Sequence, residues 1–386
     1  MKKVIGIISF YISILVIFSL IFTLLFILSS HYWAYIITSL VLITMVLLFH
    51  RPFSFGWKYW VIWMMLMLTI LLVINLGRVR QDVSFRGNLA AGVLKVLTRD
   101  LANDQANNQP KHETYNWKDW NPPHGYHNCL VQLNNTKGYL LKKKKAEPKH
   151  HQIIYQIHGG GYVNGYSNTY NKAAINYSKY SGNLPVFSID YRIAPKYKYP
   201  TALNDVEKGY RWLLKQGYSP KDIIIAGDSA GGGLSLALTL KLKNEHQPTP
   251  KMLILSSPWT DLAANGKSYY KNYHKDVIFG SNKKPSKETT NIDIPYARKS
   301  QLKDQYVSPA YGNYNDMPPM LVQTGQDEML LSDSTTIIDK SKDNNGDAKL
   351  ITYPGMFHTF YILTPWLPES HQAWNEIHKF IKSHNK

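Results

Sequence analysis

The chain has 386 residues, 44 Lys plus Arg against 26 Asp plus Glu, a formal charge of +18, and one cysteine, Cys129. A single cysteine excludes an internal disulfide, and the absence of any CxxC or HExxH pattern argues against a structural or catalytic zinc. The length leaves room for two or three units of roughly 150 residues each.

Residues 1–77 contain no Asp or Glu and only Lys2, Lys3, Arg51 and Lys58 as charged side chains. This composition predicts a transmembrane anchor of three helices near 4–28, 35–49 and 59–76, since a span needs ~20 apolar residues. Trp33, Trp57, Tyr59 and Trp60 stand at the ends, where interfacial aromatics belong. A cleaved signal peptide fits less well, because the first apolar run exceeds its usual ~7–15 residues and no A-x-A site follows. The basic residues favour a cytoplasmic N-terminus, with everything after Gly77 extracytoplasmic. The expectation is a multi-pass membrane protein with the membrane among its partners.

Residues 78–114 read as a linker with a helical, cap-like segment: Leu89, Val93, Val96 and Leu97 recur at helical spacing, and 103–109 is a polar breaker. From 115 onward the chain is basic, yet it has no zinc-finger, RNP or basic-region pattern, so nucleic acid is not an expected partner. The Lys142, Lys143, Lys144, Lys145 run reads as a solvated loop. Attraction to anionic headgroups or an anionic envelope polymer accounts for the charge.

Apolar strand patterns at 152–157, 184–189, 222–226, 252–255, 320–324 and 349–353 alternate with helical patterns at 202–215, 231–242, 333–342 and 369–382. Such alternation predicts a mostly parallel, buried sheet wrapped by helices. Residues 261–306 break the rhythm, being Lys-rich without a clear strand, and predict an insertion that could serve as a cap.

The chemistry concentrates at turns that follow these strands. Ile223-Ile224-Ile225-Ala226-Gly227-Asp228-Ser229-Ala230-Gly231-Gly232 is a hydrophobic strand running through G-x-S-x-G into a helix. That context makes Ser229 a nucleophile on a sharp elbow, with Gly227 and Gly231 small because a side chain there would strike neighbouring backbone. The strand at 152–157 ends in His158-Gly159-Gly160-Gly161. Bare N–H groups of Gly159 and Gly160, with that of Ala230, are candidate oxyanion-hole donors. His358, on a turn just after the last strand, is the candidate base. Asp327 and Glu328, after the preceding strand, both offer the carboxylate that would orient it.

The stretch from about Tyr115 to Lys386 resembles bacterial esterases of the hormone-sensitive-lipase type. The pieces that carry the resemblance are His158-Gly-Gly-Gly161, Asp190-Tyr-Arg-Ile-Ala-Pro195, Gly227-Asp-Ser-Ala-Gly-Gly232, Ser257-Pro-Trp-Thr-Asp261 and Tyr353-Pro-Gly-Met-Phe-His358. The resemblance implies an α/β-hydrolase fold with an eight-stranded sheet and a helical cap. It also implies hydrolysis of carboxylic esters with short or medium acyl groups. Aligning Pro318-Pro319-Met320-Leu321-Val322-Gln323-Thr324 with the family's acid motif favours Glu328 over Asp327. Asp190 and Arg192 would then brace the oxyanion loop, and no cofactor or metal would be needed.

The expected activity is that of a serine carboxylesterase using Ser229, His358 and Glu328 on a small or lipid-like ester. Transfer of the acyl group to another acceptor, deacetylation of envelope polymers and a catalytically idle binding module are the alternatives. Tyr162, residues 261–306 and Trp366 are candidates for setting substrate choice.

Overall fold

The computed structural model describes residues 2–28, 30–49, 57–77, 80–98, 115–145, 150–292 and 294–385; within the first three helices, side chains are described at 12, 15–28, 32–44, 61 and 64–77. The chain forms two compact units, residues 1–97 and 98–386.

The first unit contains α1 (Lys2–Ile27), α2 (Tyr32–Phe49), α3 (Trp57–Gly77) and most of α4 (Phe85–Thr98). Leu25, Leu28, Ala34, Leu42, Ile70, Val73 and Ile74 form its core. Small residues set the approach of α2 and α3, since a Cβ on Gly77 would lie 2.4 Å from that of Ala34. The helices therefore fall where the apolar runs predict them, but their expected role is corrected. Among the described residues no helix is long and apolar enough to cross a membrane. The three spans, the multi-pass placement and the membrane as a partner are accordingly withdrawn. Arg51, Arg78 and the breaker at 103–109 lie outside the described residues.

The second unit is built on one eight-stranded sheet in the order β1-β2-β4-β3-β5-β6-β7-β8. The strands are β1 (Tyr126–Leu133), β2 (Thr136–Lys143), β3 (Ile153–Ile157), β4 (Val186–Asp190), β5 (Ile223–Asp228), β6 (Met252–Ser256), β7 (Met320–Gly325) and β8 (Ala348–Tyr353). β3 to β8 are parallel, whereas β1 and β2 form a hairpin that joins β4 antiparallel. Every residue of β3, β5, β6 and β7 is buried, as continuous apolar strands covered on both faces require.

Helices α5 (Asn168–Tyr180), α6 (Thr201–Lys215), α7 (Ala230–Asn244), α8 (Leu331–Asp343) and α9 (Pro368–Ser383) wrap the sheet. α7 is buried from Ala230 to Leu240 without a break, so its sequence AGGGLSLALTL has no polar stripe to expose. The insertion at 261–306 has no strand among its described residues and holds only single turns, at Ser268–Lys271, Lys287–Thr290 and Lys299–Gln301. It is irregular where the expected cap is helical.

Two features escape the sequence patterns for physical reasons. The β1–β2 hairpin turns at Asn134 and Asn135, with Asn135 at φ 65°; β1 is mostly half-buried, and β2 mixes buried with half-buried residues before ending in exposed Lys142 and Lys143. α5 buries Asn171, Ala173, Ala174, Tyr177 and Ser178, a face too small and polar to show as hydrophobic periodicity.

Candidate active site

β3, β5, β6, β7 and β8 run side by side and in one direction, so the loops leaving their carboxyl ends meet at one edge of the sheet. This is where open α/β sheets place their sites. Those five loops carry His158 to Gly161, Ser229, Ser257, Glu328 and His358.

Ser229 sits between β5 and α7 at φ 51°, ψ −122°, a conformation that costs a non-glycine residue of order 1–3 kcal/mol. Backbone bonds hold it there: its N–H donates to Ser256 O at 2.9 Å, and its C=O accepts from Gly233 and Trp259 at 3.1 and 2.9 Å. The side chain is 5 % exposed. Its Oγ makes no hydrogen bond with another described residue. A Cβ on Gly231 would come within 2.1 Å of Ile157 O and 2.4 Å of His158 O. Only glycine lets α7 start this close to the end of β3.

The glycine run lies against this elbow. A Cβ on Gly159 would stand 2.3 Å from Asp228 Oδ2 and 3.1 Å from the Ser229 Cβ. The Gly159 N–H, expected to face substrate, instead donates to Asp228 Oδ1 at 3.1 Å. Among the described residues no acceptor takes the N–H of Gly160 or Gly161, and the N–H of Ala230 belongs to the first turn of α7, where the helix ladder supplies no partner. Burial pushes the Asp228 carboxyl up to about 7, against the opposing pull of His358 and the Gly159 N–H. His158 is fully buried and stacks on Tyr191 with centroids 4.1 Å apart. Desolvation lowers its pKa, so it packs as a neutral ring. The Tyr191 hydroxyl donates to His158 O at 2.9 Å and fixes the start of the loop.

The histidine and the acid meet on the other side. His358 Nδ1 lies 2.9 Å from Glu328 Oε2, with Glu328 fully buried and His358 5 % exposed. With the carboxylate accepting, Nδ1 carries the proton and Nε2 is left with its lone pair. Glu328 Oε1 accepts from Ser257 Oγ at 2.7 Å, Thr324 Oγ1 at 3.0 Å and the Gly325 N–H at 2.5 Å. Asp327 is half-buried on the same turn, and it is Glu328 that reaches the imidazole.

The insertion contributes to this side. Asn272 Nδ2 donates to the carbonyls of Gln326 and Glu328 at 3.1 and 2.8 Å. Asp276 accepts the N–H groups of Ile278 and Phe279 on one oxygen and that of Met329 on the other, at 2.7 Å. Phe279 stands edge-on to His358, centroids 4.8 Å apart. Asn272 and Asp276 carry no motif, and although Ser257 and Thr324 lie in stretches that carry the family resemblance, nothing in those stretches marks their bonds to Glu328.

The bracing residues and the specificity candidates divide. Arg192 makes a bidentate pair with the fully buried Asp205, both bonds 2.8 Å, and so anchors the loop after β4 to α6. Asp190 turns toward the hairpin instead, accepting from the Tyr139 hydroxyl at 3.1 Å and lying 3.5 Å from Lys137 Nζ. Tyr162 is buried and stacks on Tyr296 at 3.9 Å, whereas Trp366 is 60 % exposed. Among the described residues no group of His, Cys, Asp and Glu is arranged to hold a metal ion.

A strand–elbow–helix at the centre of this sheet, with a histidine–carboxylate pair beside it, is the arrangement of an α/β-hydrolase. The alpha/beta hydrolase fold profile matches residues 154–362, and the chain belongs to that family. An esterase of Acinetobacter venetianus is 34 % identical over 260 residues, covering 66 % of this chain and 84 % of the relative. The carboxylesterase/phospholipase LipF of Mycobacterium tuberculosis is 28 % identical, covering 68 % and 71 %. An acetyl-hydrolase of Streptomyces hygroscopicus is 28 % identical, covering 60 % and 76 %. The crystal structure of an esterase from the bacterial hormone-sensitive lipase family superposes with a TM-score of 0.64 at 28 % identity, covering 76 % of this chain and 98 % of that one. The protein is a carboxylic ester hydrolase of the esterase/lipase type.

Proposed function

We propose that the protein hydrolyses esters of short to medium acyl chains through a Ser229–His358–Glu328 triad and an acyl-enzyme. The observation that carries the reading is the 2.9 Å hydrogen bond from His358 Nδ1 to buried Glu328, made beside the strained serine elbow. Ser229 Oγ attacks the ester carbonyl while His358 Nε2 takes its proton. The same imidazolium then protonates the leaving alcohol as the C–O bond breaks. Water, deprotonated by His358, attacks the acyl-serine; the acid leaves and Ser229 regains its proton.

The tetrahedral oxyanion is assigned to the N–H groups of Gly160 and Ala230, joined by Gly161, because Gly159 spends its N–H on Asp228. Losing one such donor costs about 10²- to 10³-fold in rate. The likeness to an acetyl-hydrolase supports the small end of the acyl range. Release of p-nitrophenol from acetyl through palmitoyl esters, beside Ser229→Ala, tests the proposal. A short-chain optimum abolished in the variant is expected. An optimum at palmitoyl would sink the acyl preference, and activity persisting in Ser229→Ala would sink the nucleophile.

A further inference from the structure

Ser257, the first residue after β6, stands out on three independent observations. It is fully buried and holds φ 44°, a left-handed conformation that few side chains adopt without constraint. Its hydroxyl proton goes to Glu328 Oε1 at 2.7 Å. Its oxygen accepts, at 3.1 Å, the N–H of Thr359, the residue immediately after His358. One hydroxyl thus ties the acid to the backbone of the histidine turn. Thr359 is itself at φ 51°, so both ends of the bridge lie in left-handed backbone.

The backbone holds Ser257 in this pose. Its N–H donates to Gln323 O at 2.8 Å, which aligns the end of β6 with β7. The hydroxyl thereby reaches across two neighbouring strand ends to a third loop. From this we infer that Ser257 is a positioning residue for the triad: it fixes the distance and angle of the Glu328–His358 pair and never touches substrate. Thr324 Oγ1, at 3.0 Å from the same oxygen, shares the carboxylate but has no bond to the histidine turn, so it does not substitute for the bridge.

The inference rests on the triad reading, and the test keeps the two apart. Ser257→Ala, Ser257→Gly, Glu328→Gln and the double variant Ser257→Ala/Glu328→Gln are compared in the full chain by kcat, KM and thermal midpoint on one p-nitrophenyl ester. Ser257→Gly removes the hydroxyl and relieves the positive φ, so it separates lost positioning from lost folding. Both single Ser257 variants are expected to lose about 10- to 100-fold in kcat, with KM within about twofold and Ser257→Gly folded as well as the parent. The double variant is expected to be no slower than Glu328→Gln alone, because a residue acting through Glu328 has nothing left to orient. A folded Ser257→Gly with parental kcat overturns the inference, as does a double variant whose losses multiply. Parental activity in Glu328→Gln instead overturns the triad reading.

Discussion

The two halves of the site are built from different materials. Around Ser229 the parts are backbone: glycines admit close approach, and one strained residue is held by three main-chain bonds. Around His358 the parts are side chains, with Glu328 collecting three donors besides the imidazole and with Ser257, Asn272 and Asp276 arriving from β6 and the insertion. A backbone site requires particular small residues in a row, and such a row is a motif. A side-chain site requires only a donor somewhere within reach, and that need leaves no local pattern.

The halves should therefore break differently. On the side-chain half, Glu328→Gln is expected to lower kcat about 10⁴-fold, by analogy with loss of a triad acid, while Asp327→Asn stays within a few-fold. Steady-state kinetics on both variants check this, and the reverse ranking would move the acid. Supporting the backbone half, Asp205→Ala leaves Arg192 without its buried partner and is expected to cost about 3 kcal/mol in urea unfolding, the low end for a broken pair because Arg192 is partly exposed. Gly231→Ala is expected to cost about 1–3 kcal/mol, because its Cβ meets the carbonyls of Ile157 and His158 and not a side chain that could turn away.

Asp228 supplies a pH test of the backbone half. Its folded pKa of about 7 lies above that of the unfolded chain, so the folded state holds a proton that the unfolded state releases first. Its contribution to stability is full below about pH 4 and is lost as pH rises toward 7. The parent should lose stability across that window relative to Asp228→Asn, and parallel curves would contradict the assignment. The smallest effect is expected at Phe279, whose ring meets His358 at its edge. Phe279→Ala is expected to change kcat by less than about tenfold, with the change depending on the leaving alcohol; equal change for all alcohols would place Phe279 away from that group.

The same contrast explains what the sequence could disclose. The central strands, α7 and the motifs at 158–161 and 227–232 were legible because burial on both faces and close backbone approach each demand a restricted alphabet. Register in the stretch after β7 pointed to Glu328, the carboxylate that meets His358. Asp228 reads in the sequence as a neighbour that hydrogen-bonds around the elbow, but its particular partner, the Gly159 N–H, is set by the fold and not by the motif. Ser257 was visible only as part of a motif, since its role lies in a bond across 71 positions to Glu328. The apolar helices of residues 1–77 were placed correctly, but composition overstated them as spans.

The central claim is that Ser229 carries the acyl group. Mixing the full chain with excess p-nitrophenyl acetate and following both product and protein mass within the first turnovers tests it most directly. One acetyl per chain on the Ser229 peptide, formed as fast as a burst of p-nitrophenol and absent in Ser229→Ala, is the expected result. An adduct on another residue, or turnover by Ser229→Ala at the parental rate, would contradict the account.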